Sequence, residues 1–246
     1  MVELIITVFN KILYQPLFNA LILLYGYFPG RDLGVAIIIL TLLIKTVLYP
    51  FGTMAIRAQK ALSALQPKLE EIQKKYKQDK ERLLKETLEL YKKERINPFS
   101  GLLPLLVQLP ILIALFQVFW KGLGSEQLNY LYSFVQSPGS IDTTFFGIMD
   151  LSKPNFILAV LAGVTQFFQT KMITPTAKFA VRASSSKTPD FSKIMQKQML
   201  YFFPIFTVFI LWRLPSAIGL YWAVTSIFTI LQQYLILKPK ANAKPE

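Results

Sequence analysis

Five long runs of mostly apolar residues divide this chain of 246 residues. They cover residues 33–56, 102–120, 156–173, 199–212 and 218–237. A helix of about 20 residues spans a hydrocarbon core of about 30 Å. The runs lack the period-two alternation of membrane β-strands, so helices are expected. The pattern predicts an all-α, polytopic helical membrane protein with five transmembrane helices. The fourth helix is the least well bounded, because its run is short and contains Pro204.

Residues 1–28 are also apolar, but polar residues recur in them at every fourth position. Thr7, Lys11, Gln15 and Asn19 would line one side of a helix. A helix with one polar side suits the membrane interface, so we expect an amphipathic interfacial helix here. A sixth crossing of the membrane is the alternative.

The segment after the first run is highly charged, and its apolar residues are spaced three and four apart. One seam contains Leu62, Leu65, Leu69, Ile72 and Tyr76, and a shorter one contains Leu84, Leu88 and Tyr91. Two short amphipathic helices can bury such seams against each other, which predicts a helical hairpin. Pro67 is expected to separate the hairpin from the preceding span, and Asn97-Pro98 to end its second arm.

The charge distribution predicts the orientation in the membrane. The chain has 27 Lys and Arg residues against 14 Asp and Glu, a net charge of +13. Twenty-one basic residues fall in the hairpin, the loop after the third span and the C-terminal tail, against five on the other side. The positive-inside rule therefore places these three segments in the cytoplasm and the N-terminus outside. Charge divided by membrane side favours contact with anionic lipids over DNA binding.

These patterns divide the chain into nine segments. They are an N-terminal interfacial helix (1–28), transmembrane helix 1 (29–58), the cytoplasmic hairpin (59–97), transmembrane helix 2 (98–122), an extracytoplasmic loop (123–152), transmembrane helix 3 (153–175), a cytoplasmic loop (176–194), transmembrane helices 4 and 5 (195–237) and a cytoplasmic tail (238–246).

The basic residues around the hairpin turn are Lys74, Lys75, Lys77, Lys80 and Arg82. They are candidates for docking a ribosome or a targeting factor. The alternative is that they form a solvated face that only fixes the topology. Cysteine and histidine do not occur in the sequence, which excludes disulfides, thiolate or imidazole metal sites and a Ser-His-Asp triad. We predict no enzyme activity, no catalytic residues, no metal site and no cofactor.

Lys45 is the first candidate for a functional residue, because it falls inside the first apolar run. It is twelve residues from Leu33 and twelve from Arg57, about 18 Å of helix from either end. A lysine at mid-span costs about 2.5 to 3.5 kcal/mol and usually faces water or a partner. The five runs contain no Asp or Glu, so a hydrated pocket is expected. The alternative is a structural lysine bonded to backbone carbonyls.

Polar residues on the other spans could line the same pocket. They are Thr41, Gln108, Gln166, Gln169, Trp222, Thr225 and Ser226, with Thr229 and Gln232 continuing the pattern on the fifth run. Polar residues at helical spacing also hold membrane helices together, and Trp222 also fits an interfacial aromatic belt. The pattern leaves open which of Gln166 and Gln169 faces the pocket.

Several motifs resemble the YidC/Oxa/Alb family of membrane protein insertases, over about residues 31 to 237. The order of spans and the charged hairpin match the bacterial core domain. NPFSGLLP enters the second span, and LP followed by GLYW enters the fifth. The resemblance implies a bacterial inner-membrane protein in which five helices enclose a hydrophilic groove, open to cytoplasm and lipid, with one basic residue at its centre. Lys45 occupies the place where bacterial members usually carry arginine.

The resemblance also implies a function, namely insertion and folding of nascent membrane proteins, with a Sec translocon as a further partner. We expect the polar flank of a nascent segment to approach Lys45 and its apolar stretch to leave between the third and fifth spans. The alternative function is a small-molecule or ion transporter that uses the intramembrane lysine.

Overall fold

The computed structural model describes residues 2–28, 30–97, 103–120, 127–174 and 198–238. Its α-helices are α1 (Val2–Phe9), α2 (Gln15–Tyr27), α3 (Leu33–Val47), α4 (Tyr49–Lys75), α5 (Lys80–Lys93), α6 (Leu103–Trp120), α7 (Phe156–Ile173), α8 (Phe203–Leu211) and α9 (Ser216–Leu237). Two π-helical segments, Asn10–Tyr14 and Gln198–Phe202, precede α2 and α8, and a 3-10 turn covers Gln127–Tyr130. The loop predicted at 176–194 and the tail after residue 238 lie outside the described residues.

The predicted class, a helical polytopic membrane protein, is confirmed. Three helical segments are long and apolar enough to cross a membrane, namely Glu3–Tyr27, α7 and α9. The bent pair of α3 and α4 can form a fourth crossing, and α6 and α8 contain shorter apolar helices. Large apolar side chains such as Leu106, Ile157 and Ile205 point outwards and are 65–70% exposed. Such a surface suits a hydrocarbon environment.

The second half of the N-terminal segment packs into the bundle, so the predicted polar stripe does not face outwards along its whole length. Tyr14, Phe18 and Leu21 are almost fully buried, and so is Asn19, the last residue of the predicted polar stripe. The Asn19 amide donates to the carbonyl of Tyr130 at 2.9 Å, and its side-chain oxygen accepts from the backbone N–H of Tyr132 at 2.7 Å. Asn19 therefore holds a loop, while Lys11 remains exposed.

The first predicted span is two helices, not one. α3 ends at Val47, and α4 leaves at an angle of 69° after the non-helical residue Leu48. Pro50 lies in the first turn of α4, where a proline costs no intrahelical hydrogen bond. The expectation that Pro67 separates the span from the hairpin is wrong, because α4 runs through Pro67 to Lys75.

α4 and α5 form the predicted hairpin, but with a different seam on α5. The hydroxyl of Tyr76 donates to Glu86 at 3.3 Å near the turn, and Lys68 pairs with Glu94 at the far end, so the arms are antiparallel. On α5, Leu84 and Leu88 are 62% and 48% exposed, while Leu83 and Leu90 are half-buried. The predicted seam through Leu84 and Leu88 is therefore displaced to the neighbouring face of the helix.

Helix α9 lies at the centre of the bundle and packs most extensively against α7 and α3. Gly163 of α7 allows the close approach of α8, since a Cβ there would lie 2.4 Å from Val208. At Gly219 of α9 a Cβ would make ordinary van der Waals contact with Leu158 of α7, at 3.5 Å. The third and fifth spans, α7 and α9, are nevertheless the most extensively packed pair among the described helices.

The described part of the predicted extracytoplasmic loop, residues 127–152, covers one end of the bundle. It contains the one β-sheet among the described residues, an antiparallel pair of β1 (Thr144–Phe145) and β2 (Met149–Asp150). The backbone N–H groups of Ser216 and Ala217, which open α9, donate to the carbonyls of Lys153 and Leu151 at 3.0 Å each. The loop is therefore built into the start of the central helix.

Candidate functional site

One face of α9 carries a row of side chains that meets three other helices. Tyr221, Thr225, Phe228 and Gln232 are spaced four, three and four residues apart, so they share this face. The row extends over about 16 Å, from near the loop-covered end towards the hairpin end. Its contacts with α6, α3 and α4 define the candidate site.

The end of the row nearest the covering loop is polar and hydrogen-bonded. The amide of Gln108 on α6 donates to the hydroxyl of Tyr221, which is buried. On the adjacent face of α9, the indole N–H of Trp222 donates to the side-chain oxygen of Gln166 on α7 at 3.1 Å. Gln169 lies nearer the C-terminal end of α7 and is half-buried. The structure thus brings Gln166, Trp222 and Gln108 together around α9.

Lys45 meets the middle of the row. Its side chain is half-buried, and its ammonium nitrogen lies 5.8 Å from the centroid of the Phe228 ring, a cation–π distance. Phe228 follows Tyr221 by two helical turns on the same face, so Lys45 lies about 10 Å along α9 from the Gln108–Tyr221 pair. Among the described residues, no carboxylate lies within ion-pair distance of Lys45.

The position of Lys45 along its helix corrects the argument made from sequence. The bend at Leu48 places Lys45 in the last turn of α3, not 18 Å from both ends of a straight helix. The unpaired carbonyls at a helix C-terminus carry partial negative charge and favour a cation by about 0.3–1 kcal/mol. Lys45 is therefore stabilised by its own helix and lies close to the joint with the hairpin arm.

Three other predicted site residues, Thr41, Ser226 and Thr225, differ in whether their side chains lie in the core or on the row. Thr41 is 1% exposed, and its hydroxyl donates to the carbonyl of Ile37 at 2.6 Å, so it takes part in the helix backbone and the core. Ser226 is 2% exposed. Thr225 is half-buried and lies one turn after Tyr221, on the row itself. Among these three, Thr225 is the one whose side chain lies on the row.

A cavity of about 300 Å³ lies between α6 and α8, with α9 at its base. Its walls include Leu112 and Phe116 from α6, Thr207 and Leu211 from α8, and Ile218 and Trp222 from α9. The lining is almost entirely apolar. The exit path expected between the third and fifth spans stays a prediction. In this structure α7 and α9 are closely packed, whereas the cavity lies between α6 and α8.

The far end of the row holds a contact between α9 and α4 that was not predicted. Gln232 is 2% exposed, and its amide donates to the carbonyl of Tyr49 at 2.9 Å and to the hydroxyl of Thr53 at 3.1 Å. Gly52 leaves the room for this side chain, because a Cβ there would lie 2.9 Å from the Gln232 oxygen. The polar spacing on α9 indicated Gln232, but its partners beyond the bend could not be read from sequence.

The basic residues of the hairpin gather at its turn. Lys74 and Lys75 end α4, and Lys75 lies 5.2 Å from the ring of Tyr76. Lys77 and Lys80 are exposed, and Arg82 pairs with Asp79 at 3.3 Å, the residue that caps α5. Together they form an exposed basic tip at the end of the arm.

Comparison with known proteins gives one consistent result. The model of the family described as "60Kd inner membrane protein" matches residues 23–244. A protein of Fusobacterium nucleatum named membrane protein insertase YidC is 36% identical over 210 residues, which are 85% of this chain and 88% of that protein. Proteins of the same name from Rickettsia akari and Rickettsia felis are 31% identical over 235 residues, 92% of this chain but only 39% of their own length.

The matched region includes the whole row on α9, the bend at Leu48, the hairpin and the covering loop. The apolar outer surface and the helices long enough to cross a membrane are what an inner-membrane protein requires, and the family model matches most of the chain. The protein is therefore a multi-pass inner-membrane protein that belongs to the YidC/Oxa/Alb family.

Proposed function

We propose that this protein inserts nascent membrane proteins into the bilayer and helps them to fold, using the row on α9 and the gap between α6 and α8 as its working surface. The observation that carries the proposal is the environment of Lys45. The ammonium group is half-buried beside an aromatic ring, with no carboxylate partner among the described residues. Such a charge attracts an acidic or polar group that enters the bundle.

The proposed path begins at the hairpin end. A polar flank of the nascent segment passes the joint at Leu48 and approaches Lys45, then meets the hydrogen-bonding side chains of Gln108 and Tyr221. A polar group without a hydrogen-bond partner costs several kcal/mol in hydrocarbon. A polar group of the client that bonds to one of these side chains avoids part of that cost. The protein thus lowers the barrier for moving a short polar flank across the membrane.

The apolar stretch of the segment then moves through the gap between α6 and α8. The gap is lined by side chains such as Leu112 and Leu211, which match an apolar client. Burial of apolar surface in lipid releases about 25 cal/mol per Å², so the step is downhill. The membrane potential adds about 2.3 kcal/mol per charge per 100 mV. The proposal therefore needs no nucleotide.

The orientation and the partners belong to the same proposal. The N-terminus lies outside the cell and the hairpin in the cytoplasm. This orientation follows from the positive-inside rule, because most basic residues fall in the hairpin, in the loop after the third span and in the tail. The basic tip at Lys74, Lys75, Lys77, Lys80 and Arg82 receives a ribosome or targeting factor and contacts anionic lipids. A Sec translocon is a further partner for clients with large outer domains.

The test is complementation in bacterial cells depleted of their own insertase, with a single-span client that carries an acidic outer tail. For Lys45→Glu we expect insertion to slow at least about tenfold, equivalent to about 1.4 kcal/mol of barrier. Lys45→Arg should retain activity because the charge is kept, and Lys11→Glu is the charge-matched control at an exposed position.

Two outcomes would contradict the proposal. Unchanged insertion by Lys45→Glu would refute the electrostatic part. Photocrosslinkers at Gln108 and Trp222 that form no adduct with a stalled nascent chain would refute the path itself. The second outcome is the one that a transporter of small molecules or ions predicts.

A further inference from the structure

The tip of the β-hairpin in the covering loop has an unusual combination of sequence and conformation. Phe146 and Gly147 both adopt positive φ, at 51° and 67°, and the N–H of Ile148 closes the turn on the carbonyl of Phe145 at 3.0 Å. Turns with two successive left-handed residues favour Asn, Asp or Gly at these positions. A phenylalanine at the first of them is strained by its backbone conformation.

The strained turn is fixed to the start of helix α3. The backbone N–H of Phe146 donates to one carboxylate oxygen of Asp32, and the other oxygen caps α3 by accepting from Val35 at 2.9 Å. Phe145 packs against Gly34, where a Cβ would overlap its ring. Because a Cβ points sideways from a helix, Phe145 lies beside the first turn of α3 and not above it.

The fixed turn directs two apolar side chains away from the protein. Phe146 is 67% exposed and Ile148 is 88% exposed. Both exposure to water and the backbone strain disfavour Phe146 at this position, yet the contacts with Asp32 and Gly34 hold it there. An outlier that the surrounding structure holds in place points to a function.

The neighbouring surface indicates what the tip contacts. Other exposed aromatic residues lie at the same end of the helices, including Tyr27 at the end of α2 and Trp212 just after α8, 84% and 47% exposed. Aromatic side chains at the ends of membrane helices mark the boundary between headgroups and hydrocarbon. The exposed Arg31, adjacent to Asp32, adds a positive charge that complements lipid phosphates.

We propose that Phe146 and Ile148 form an interfacial anchor that inserts into the lipid leaflet on the side of the covering loop. The anchor continues the aromatic belt of the bundle and holds the covering loop at the level of the membrane boundary. It is separate from the proposed insertion path, because the tip is held beside the first turn of α3 by Asp32 and Gly34, and neither residue belongs to the row on α9.

The experiment uses a single label, which the cysteine-free chain permits without further substitution. Ile148→Cys is labelled with an apolar environment-sensitive fluorophore, and the full-length protein is reconstituted into vesicles of phosphatidylethanolamine and phosphatidylglycerol. Lipids with spin labels at shallow or deep positions serve as quenchers. We expect blue-shifted emission and strongest quenching by the shallow lipid, whereas the same label at the exposed Ser140→Cys should report water.

A second variant separates membrane contact from a purely structural role. Phe146→Asn keeps a residue suited to the left-handed turn but removes the apolar ring. We expect the label at position 148 to shift towards the emission of water and to lose at least half of its quenching by the shallow lipid.

Three results would overturn the proposal. The label at position 148 in the otherwise unchanged chain shows water-like emission and no lipid quenching. Alternatively, its emission is blue-shifted but insensitive to both lipid quenchers, which indicates that a second copy or another protein covers the tip. Finally, Phe146→Asn leaves emission and quenching unchanged.

Discussion

Replacement of Gln232 by leucine removes the side chain that ties the hairpin arm α4 to the central helix α9. The Gln232 amide donates to the carbonyl of Tyr49 at 2.9 Å and to the hydroxyl of Thr53 at 3.1 Å, both in the first turn and a half after the bend. Each bond contributes about 0.5–1.5 kcal/mol, so the pair contributes about 1–3 kcal/mol. Loss of the pair should raise the population of displaced arms by about 5- to 150-fold.

Replacement of Gln232 should leave α4 itself folded, because a hydrogen bond within its first turn remains. The hydroxyl of Thr53 donates to the carbonyl of Tyr49 at 3.0 Å whether or not Gln232 is present. We therefore expect the helices to remain folded and the arm to sample a wider range of angles about Leu48. Circular dichroism should be unchanged.

The assay is the distance between two spin labels in the otherwise cysteine-free chain, at Lys77→Cys on the tip and Lys238→Cys after α9. The parent should give one narrow distance distribution, and Gln232→Leu a broader one. Gln169→Leu on α7 is the matched control, since it makes the same chemical change away from the joint. Equal widths in the parent and in Gln232→Leu would refute the idea that this contact sets the angle of the arm.

Gly52→Ala tests the same contact from the other side. The added Cβ would lie 2.9 Å from the Gln232 oxygen, and overpacking of this kind typically costs about 1–3 kcal/mol. We expect Gly52→Ala to broaden the distribution as Gln232→Leu does. In a Gly52→Ala, Gln232→Ala double variant the shorter side chain makes room, so the two effects should not add.

Two further predictions concern the covering loop. Hydrogen bonds from Ser152 and the ammonium of Lys153, with a further bond from Thr143, hold the pKa of Asp150 below its ordinary value of 3.8. The charged carboxylate therefore stabilises the folded loop above pH 4, and the free energy of unfolding should fall as the pH drops below about 4 towards the lowered pKa. Thermal unfolding measured against pH should show this fall. Asp150→Asn should make the unfolding temperature less dependent on pH in the same range. Asn19→Ala should destabilise the loop by about 1–3 kcal/mol, since it leaves the N–H of Tyr132 without its acceptor; limited proteolysis should then cleave residues 127–152 faster, and an unchanged rate would contradict this role.

The straight helices were predictable from the sequence because each depends on one local pattern. The third run, residues 156–173, coincides with α7, and an asparagine cap at Asn155 marks its start. Composition over about 20 residues carries this information, since a membrane helix must satisfy its backbone internally. The same reasoning gave the helical class and the hairpin.

The bend at Leu48 was not predictable in the same way. Hydropathy continues across it, and two prolines, Pro50 and Pro67, compete as candidates for the break. The contact that fixes α4 to α9 just after the bend joins residues 183 apart in the chain, where Gln232 holds the carbonyl of Tyr49, and a local pattern does not contain it. The exposed positions of Leu84 and Leu88 were not predictable either, because the face of α5 that packs on α4 depends on contacts between the two helices and not on the spacing within α5.

The bend connects the two parts of the proposed mechanism. Lys45 lies in the last turn of α3, four residues before Tyr49, so a movement of α4 about Leu48 acts directly on the turn that carries the ammonium group. The helix end stabilises that charge with backbone dipoles, and in the proposed mechanism the charge attracts a carboxylate of the client. Gln232 holds Tyr49 against α9, where the ring centroids of Tyr49 and Phe228 lie 6.5 Å apart, and the Lys45 ammonium lies over the same Phe228 ring. If this connection is correct, Gln232→Leu should slow insertion of a client with an acidic tail more than that of a client with a neutral tail, although Gln232 itself never meets the client. Equal slowing of both clients would mean that the contact serves the arm alone.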